Sequence, residues 1–264
     1  MGPLEYIYIY DDPDAQALDI DYLGHWLAHI LPDVQIGVRS DFITFHLARF
    51  IESERDALAE ALCEQLERAE VDNLVRPADR DKLPPLPPAE RDLDVVYESS
   101  ALQAILKLLI PDEERAGDRL HIMFTANYLG VWREDEAYLR LQAAVLGLPS
   151  VISTSGLVEA LELPKQYHFL RQQVAILGVE EDVEDIFADQ TVGYGDPRIN
   201  EVCKGYIMQA LYYQMTGETG CSDPECRLHI VPSHVETLKT QVTGKPGLCE
   251  RHRDLLVEWG GEPE

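Results

Sequence analysis

Apolar residues in the first 110 positions recur with two different periods, and these periods predict alternating strands and helices. In chain order they predict a strand at 4–10, a helix at 15–31, a strand at 34–38, and helices at 52–69 and 99–110. Segment 72–94 interrupts the pattern, because prolines occupy four of the five positions 84–88. Proline fixes φ and lacks an amide hydrogen, so we expect an extended connection there.

The second half of the chain continues the alternation and adds one long helix. The pattern predicts strands at 120–125, 138–147 and 150–153, helices at 163–178 and 180–189, a long helix at 196–217, and short helices at 233–242 and 249–259. In the long helix, apolar residues follow one stripe from Ile199 to Leu211. Asp196 and Pro197 are predicted to open this helix, and Gly217 to end it in a left-handed conformation. We therefore expect an α/β fold with a twisted sheet, as one domain over residues 1–264.

Four potential metal ligands lie in two close pairs near the end of the chain. Cys221 and Cys226 form the first pair, and Cys249 and His252 form the second, after the connection 227–248. Zn²⁺ accepts thiolate and imidazole together, and a closed set of four ligands is typical of structural zinc. We therefore predict a structural Zn²⁺ bound by these four residues. It would join the long helix to a zinc-bound subdomain within 196–259.

Two other interpretations of this motif remain open. His229 and His234 lie between the cysteine pairs, and either can replace His252 as the fourth ligand. Alternatively, the cysteines are unlinked thiols in a reducing compartment, and His252 only caps a helix. Cys63 and Cys203 lie in helical patterns, so we expect small buried residues and no disulfide framework.

The composition adds a strong acidic bias along the whole chain. Asp and Glu number 48 against 22 Lys and Arg, which gives a formal net charge of −26. Nucleic acids and anionic membranes both require a basic surface, so we expect neither as a partner. Mutual repulsion of the carboxylates is screened at molar salt. This favours a halophilic, archaeal type of protein that loses stability in dilute buffer.

The start of the chain and its apolar runs bear on its location. No apolar run approaches the roughly 20 residues that span a bilayer. Residues 1–12 are acidic and alternating, unlike the cationic start of a secretory signal. We therefore expect a cytoplasmic protein. The sequence also lacks the glycine-rich nucleotide motifs and the Gly-x-Ser-x-Gly elbow of serine hydrolases.

The long helix, the glycine at its end and the cysteine pairs together resemble the archaemetzincins, a family of zinc metallopeptidases. In that family the helix carries His-Glu-x-x-His, a glycine follows, and a third histidine directly precedes the first cysteine. With Cys221 as the anchor, Gly217 matches the family's glycine. The resemblance covers about residues 119–258. It implies a metzincin-like fold, in which a twisted sheet lies beside a long helix of the active-site type. Segments 153–159 and 204–210 are also similar to a mainly archaeal group of proposed metallopeptidases.

The residues that perform the family's chemistry are replaced in this sequence. The same alignment places Ala210, Leu211, Gln214 and Gly220 at the first histidine, the glutamate, the second histidine and the third histidine. A catalytic zinc requires about three protein ligands and an open position for water. The resemblance therefore carries over no catalytic residue. His252 also replaces the fourth cysteine of the family's structural site, which zinc tolerates.

Two functions follow from this combination. The first is a non-catalytic relative of the metallopeptidases, in which zinc supports a scaffold that binds a peptide or a partner protein. The second is an active metallopeptidase or other hydrolase that uses residues outside the family motif. Six polar residues near the long helix are candidates for lining a groove: Tyr206, Gln209, Tyr212, Tyr213, Gln214 and Glu218.

Overall fold

The computed structural model describes residues 4–71, 74, 95–134, 136–177 and 183–263. The predicted proline-rich connection at 72–94 lies outside these residues, apart from residue 74. The strands are β1 Tyr6–Tyr10, β2 Gln35–Arg39, β3 Val96–Glu98, β4 Arg119–Thr125, β5 Tyr128–Val131, β6 Arg140–Gln142, β7 Ala144–Val145 and β8 Ser150–Ser153. The helices are α1 Ile20–Ile30, α2 Phe42–Leu47, α3 Glu52–Ala69, α4 Ser99–Leu109, α5 Thr154–Glu159, α6 Lys165–Leu177, α7 Val183–Ile186, α8 Ile199–Thr216, α9 His234–Leu238 and α10 Glu250–Glu258. This is the mixed α/β architecture that the sequence predicts.

The main sheet has five strands in the order β2-β1-β4-β8-β7. The first four are parallel, and β7 pairs antiparallel with β8 at the edge. A smaller sheet has the order β3-β5-β6, with a parallel β3–β5 pair and an antiparallel β5–β6 pair. Parallel neighbours require crossover connections, and α1 supplies the one between β1 and β2.

Helices cover both faces of the main sheet, because alternate residues of a strand point to opposite sides. On one face, Ile7 and Ile9 of β1 belong to a core that includes residues of α1 and α8. On the other face, Tyr10 joins a second core with Phe42 of α2 and Leu106 of α4. All five of these side chains are fully buried. Fully burying one large apolar side chain stabilises a fold by roughly 1.5–3 kcal/mol, so these two cores fix the positions of α1, α2, α4 and α8.

Two predicted elements differ from the structure for local reasons. The predicted helix 15–31 begins only at Ile20, because the Asp19 carboxylate accepts a hydrogen bond from the backbone N–H of Tyr22 at 2.8 Å. Ala17, with φ of 61°, cannot be helical. The predicted strand 138–147 is two strands, β6 and β7, which belong to different sheets.

The long helix is confirmed, although its first turn was placed too early. The Asp196 carboxylate accepts a hydrogen bond from the N–H of Arg198 at 2.9 Å, so it caps the turn before the helix. The C-terminal prediction is confirmed, because Gly217 has φ of 77°. The prediction for Cys63 was wrong, since this residue is exposed, whereas Cys203 is buried as expected. Among the described helices, none combines the length and the apolar character that a bilayer crossing requires.

Candidate metal centre and adjoining groove

The four predicted ligands converge at the C-terminal end of α8. The left-handed Gly217 reverses the chain there and leads it into the loop that carries Cys221. Cys249 caps the N-terminus of α10, so His252 lies in the first turn of that helix. The structure thus joins two loop cysteines with two ligands fixed by a helix start.

The separations of the ligand atoms are close to those of a tetrahedral zinc site. All four lie within 4.8 Å of one another. The Cys221 and Cys249 sulfurs are 3.9 Å apart, and His252 Nδ1 lies 3.6 Å from the Cys226 sulfur and 3.0 Å from the Cys249 sulfur. With Zn–S near 2.3 Å and Zn–N near 2.0 Å, a tetrahedron has edges of roughly 3.6–3.8 Å. The cluster can therefore hold one Zn²⁺ in a closed, structural arrangement.

Backbone N–H groups and burial determine the charge states of the cysteine and histidine ligands. The N–H groups of Asp223 and Cys249 point at the sulfurs of Cys221 and Cys226, both at 3.4 Å. Burial nevertheless raises the pKa of the Cys226 thiol to about 12, so a thiolate there requires a neighbouring positive charge. Burial also lowers the pKa of His252, which keeps the imidazole neutral and its lone pair available. A metal ion satisfies both requirements and releases the thiol protons when it binds.

Residues around the ligands orient the imidazole. The Tyr212 hydroxyl of α8 donates to the carbonyl oxygen of His252, and the two rings meet edge to face. Glu218 Oε2 lies 3.9 Å from His252 Nε2, the nitrogen that points away from the sulfurs. Arg251 holds this carboxylate at 2.5 Å and lowers its pKa. A carboxylate behind a ligating imidazole is a common way to fix the ring and its tautomer.

The two alternative histidine ligands have other partners. His229 Nδ1 lies 2.8 Å from the carbonyl oxygen of Cys221. His234 accepts a hydrogen bond from the N–H of Val192 at Nδ1 and donates from Nε2 to the carbonyl of Val158, at 3.1 and 3.0 Å. Both ring nitrogens of His234 are therefore occupied, and His252 is the histidine that reaches the cysteines.

A groove of about 590 Å³ lies between α8 and the strands β6 and β7. Three residues of α8 line it, Tyr206, Gln209 and Tyr213, which the helical period places on one face. Thr219 and residues 230–232 complete the opposite wall. The Gln209 side chain donates to the carbonyl oxygen of Thr219, which ties this wall to the helix.

The positions that correspond to the catalytic motif do not face this groove. Ala210 and Leu211 are buried in the core between α8 and the sheet. Gln214 donates to the carbonyl of Gly117 at 3.2 Å, just before β4. Gly220 is exposed in the loop before Cys221. None of the four lines the groove.

Three of the six polar candidates near the long helix line the groove, and they are the three α8 residues that do so, whereas the strands of the groove were not predicted. Tyr206, Gln209 and Tyr213 line the groove as expected, whereas Tyr212 and Glu218 serve the metal cluster. The spacing of three and four residues from 206 to 213 is the signal that separates these two sets. Nothing local indicated the contribution of β6 and β7, because strand pairing over long separations has no local signature.

Residues 4–259 match the family described as "Probable metallopeptidase family (DUF6775)". The chain belongs to this family. It is also similar in structure to archaemetzincin from Methanopyrus kandleri, with 13% identity, a TM-score of 0.46, and coverage of 97% of this chain and 95% of that chain. A zinc-dependent peptidase from Methanocorpusculum labreanum (strain Z) shows 11% identity, a TM-score of 0.38, and coverage of 95% and 99%. No curated protein matches.

Membership of this family of probable metallopeptidases confirms the relationship to metallopeptidases that the sequence implied. Family membership describes descent, whereas the reaction that a chain performs depends on the residues in its site. In this member, the described residues contain one group of at least three potential metal ligands, the Cys3His cluster. Over the same residues, no histidine, cysteine or carboxylate lines the groove beside α8.

Proposed function

We propose that this protein is a non-catalytic member of its metallopeptidase family. In this proposal, a structural Zn²⁺ on Cys221, Cys226, Cys249 and His252 supports a groove that binds an extended peptide segment of a partner protein. The observation that carries the proposal is the lining of the groove. Its α8 face presents Tyr206, Gln209 and Tyr213, where an activated water on zinc would require imidazole or carboxylate ligands.

The shape of the groove supports an extended peptide as its ligand. Strand β7 forms one wall and is the edge strand of the main sheet. An edge strand offers backbone N–H and C=O groups to an additional strand, and pockets beside it select side chains. Tyr213 is half-buried and supplies aromatic surface for such side chains, and aromatic residues often dominate binding energy at interfaces.

The zinc cluster connects directly to this groove. Thr219 lines the groove, and Cys221, two residues later, is a metal ligand. A Zn²⁺ ion on Cys221 would therefore fix the loop that forms one groove wall. Gln209 anchors the same loop from the helix side through its hydrogen bond to Thr219.

Metal analysis and peptide selection together test the proposal. We would purify the full chain in high salt, count zinc by mass spectrometry, and incubate the protein with a randomised peptide library. We expect one zinc per chain, recovery of bound intact peptides, and no cleavage that a chelator abolishes. Tyr213→Ala should weaken the selected peptides at least tenfold, because it removes one aromatic wall of the groove.

The control for this experiment is Phe169→Ala, which removes an exposed aromatic side chain of α6 outside the groove. It should leave peptide affinity unchanged. A second metal per chain, together with chelator-sensitive cleavage of the library, would establish the active hydrolase instead. Equal losses in both variants would show that the groove is not the binding surface.

We further propose that the acidic surface adapts the protein to a salt-rich cytoplasm of the archaeal kind. The net charge of −26 supports this, since repulsion between exposed carboxylates falls when the Debye length shrinks to about 3 Å at 1 M salt. None of the five cysteines is in a disulfide, as expected in a reducing compartment. The melting temperature should rise steadily from 0.1 M to 2 M KCl. An unchanged melting temperature would exclude the salt adaptation.

A further inference from the structure

A second cavity, of about 340 Å³, lies at the carboxyl ends of the parallel strands. Its walls come from the loops that follow β1, β4 and β8 and from the segment before α8. The chain proceeds from β1 to β2 on one side and places β4 and β8 on the other side of β1. The direction of winding therefore reverses between β1 and β4. In open α/β sheets, ligands bind in the crevice outside the strand ends at such a reversal.

The loop after β1 is held in a fixed and strained conformation beside this cavity. Ala17 has φ of 61°, a left-handed conformation that is strained for an alanine. Asn200 of α8 maintains it by donating to the carbonyl of Ala17 at 2.7 Å and accepting from the N–H of Asp19 at 2.8 Å. Asp12 ties the same loop to the end of β4, where it accepts from the N–H of Ala126 at 2.8 Å. The cavity wall is thus preformed, as in most small-molecule sites.

Polar groups without protein partners face the cavity. Ser155 is only 8% exposed and lines the cavity, and its hydroxyl makes no hydrogen bond within the described part of the chain. Gln16 and Asn127 add two amide groups to the same walls, and the Gln16 amide is likewise unbonded over those residues. The Ser155 hydroxyl keeps its solvent access through the cavity, so it can bond to a molecule that carries hydroxyl groups.

The charge of the lining decides which class of molecule fits. Asp14 is the one charged residue that lines the cavity among the described residues, and neither Lys nor Arg is present there. This disfavours a phosphate or another anion, because the Asp14 carboxylate repels it and no basic side chain of the lining balances its charge. A carboxylate combined with amides and a hydroxyl instead matches a ligand with several O–H donors and acceptors.

One aromatic ring completes the site. Tyr194 lines the cavity and is 53% exposed. Its hydroxyl is fixed by Tyr128 at 2.5 Å and Glu159 at 3.2 Å, so the ring has a defined position.

We propose that this cavity binds a small uncharged polyhydroxylated molecule of monosaccharide size. Asp14 accepts from its hydroxyls, Ser155 and the amides complete the hydrogen bonds, and Tyr194 covers its apolar side.

Saturation-transfer NMR on the full chain in high salt tests this assignment. The probes are D-glucose, D-ribose and myo-inositol at millimolar concentration, with inorganic phosphate, followed by ³¹P line broadening, as the anionic contrast. We expect transfer to the ring protons of at least one of the three polyols and no phosphate binding. Ser155→Ala should weaken the bound polyol at least fivefold, because it deletes a hydroxyl from the cavity wall with little change of shape. Ala126→Leu should abolish binding by filling the cavity.

The matched control is Ser53→Ala, which deletes an exposed hydroxyl on α3. It should leave polyol affinity unchanged, and thermal unfolding should show that all three variants remain folded. If either cavity variant fails to fold, the other decides the result. Absence of transfer to all three polyols, phosphate binding in their place, or equal affinity in the Ser155 and Ser53 variants would overturn the proposal.

Discussion

One cluster of polar side chains lies in the core on each side of the main sheet, and the two clusters satisfy their polar atoms in different ways. On the α2 and α4 face, the Tyr10 hydroxyl contacts three groups: Arg39 Nη1 at 2.6 Å, His46 Nε2 at 3.1 Å and His121 Nδ1 at 2.9 Å. On the α8 face, three sulfurs and one imidazole nitrogen converge. Both clusters are largely removed from water.

The Tyr10 cluster consists of Tyr10, Arg39, His46, Glu114 and His121, and these residues satisfy one another's hydrogen bonds without any external group. His121 Nε2 faces the backbone carbonyl of Glu114 at 2.9 Å, so this nitrogen carries the proton and Nδ1 accepts from Tyr10. Tyr10 has one hydrogen, and His46 Nε2 must therefore donate to it. Arg39 donates to Tyr10 and pairs with the Glu114 carboxylate at 2.8 and 2.9 Å. Each donor in the cluster meets an acceptor, and the charges of Arg39 and Glu114 balance.

The Cys3His cluster cannot satisfy its polar atoms with its own donors in the same way. A thiol is a weak donor, and the lone pairs of Cys221, Cys226, Cys249 and His252 all point into one small volume. Burial raises the pKa of the Cys226 thiol, because loss of solvent disfavours its thiolate. A divalent cation supplies the missing charge. Convergent acceptors therefore indicate a metal site, whereas alternating donors and acceptors indicate a structural network that needs no bound ion.

Removing one thiolate should have the largest effect, because it removes the ion as well. In Cys226→Ser, a harder and more weakly binding oxygen replaces a fully buried sulfur ligand. Structural zinc contributes roughly 10–16 kcal/mol in small zinc domains, comparable with the whole stability of a typical domain. We expect zinc content to fall from one per chain to nearly none. Limited proteolysis should then cleave the segment after Gly217.

The control for this prediction is Cys63→Ser, which alters an exposed cysteine on α3. It should keep both the zinc and the protease resistance. If Cys226→Ser also kept its zinc, the cluster would be a set of packed thiols, and the contrast with the Tyr10 cluster would disappear.

The sequence predicts the cysteine cluster far better than the Tyr10 cluster. Short loops bring Cys221 close to Cys226 and Cys249 close to His252, so local spacing already indicates two halves of one site. Tyr10 and His121 are 111 residues apart and meet only because β1 pairs with β4. Strand order depends on the whole chain, and no local period records it.

The sequence likewise could not predict how the groove forms or which side of the long helix faces the sheet. Periodicity predicted α8, but apolar residues are buried around most of its circumference, so the pattern did not show which side faces the sheet. Tyr206 and Tyr213 became groove residues only when β6 and β7 were in place. The strand 138–147 was predicted as one element because its residues suit strands throughout, whereas the switch between sheets depends on partners elsewhere in the chain.

Removing the Tyr10 hydroxyl should have an effect of intermediate size on the free energy of unfolding. Tyr10→Phe keeps the ring but leaves Arg39, His46 and His121 each without one hydrogen-bond partner. Unsatisfied buried polar groups cost about 1–3 kcal/mol each, with partial relaxation expected. We predict a loss of about 3 kcal/mol in the free energy of unfolding by urea at saturating zinc, with zinc content unchanged.

Tyr6→Phe on the same strand is the matched control, because the Tyr6 hydroxyl makes no hydrogen bond to the described chain. It should change the free energy of unfolding by less than about 0.5 kcal/mol. Equal effects of the two substitutions would mean that the hydrogen bonds of Tyr10 contribute little, and that packing alone holds this face.

Mild acid should reveal the smallest effect, and its sign follows from the closed network. Burial lowers the pKa of His46 and of His121 to about 4, below the value of about 6.5 for an unfolded chain. The unfolded state therefore binds more protons between these values, and stability falls as the pH falls through this window.

From pH 7.5 to 6.0 the two histidines should together remove about 1.5 kcal/mol from the free energy of unfolding. His46→Gln removes one of the two groups and leaves His234 and the zinc ligands unchanged, so the same pH step should cost it about 0.8 kcal/mol less than it costs the unaltered protein. Urea unfolding at both pH values, with saturating zinc, measures the difference. An identical pH dependence in the two proteins would show that His46 is not held neutral by the network around Tyr10.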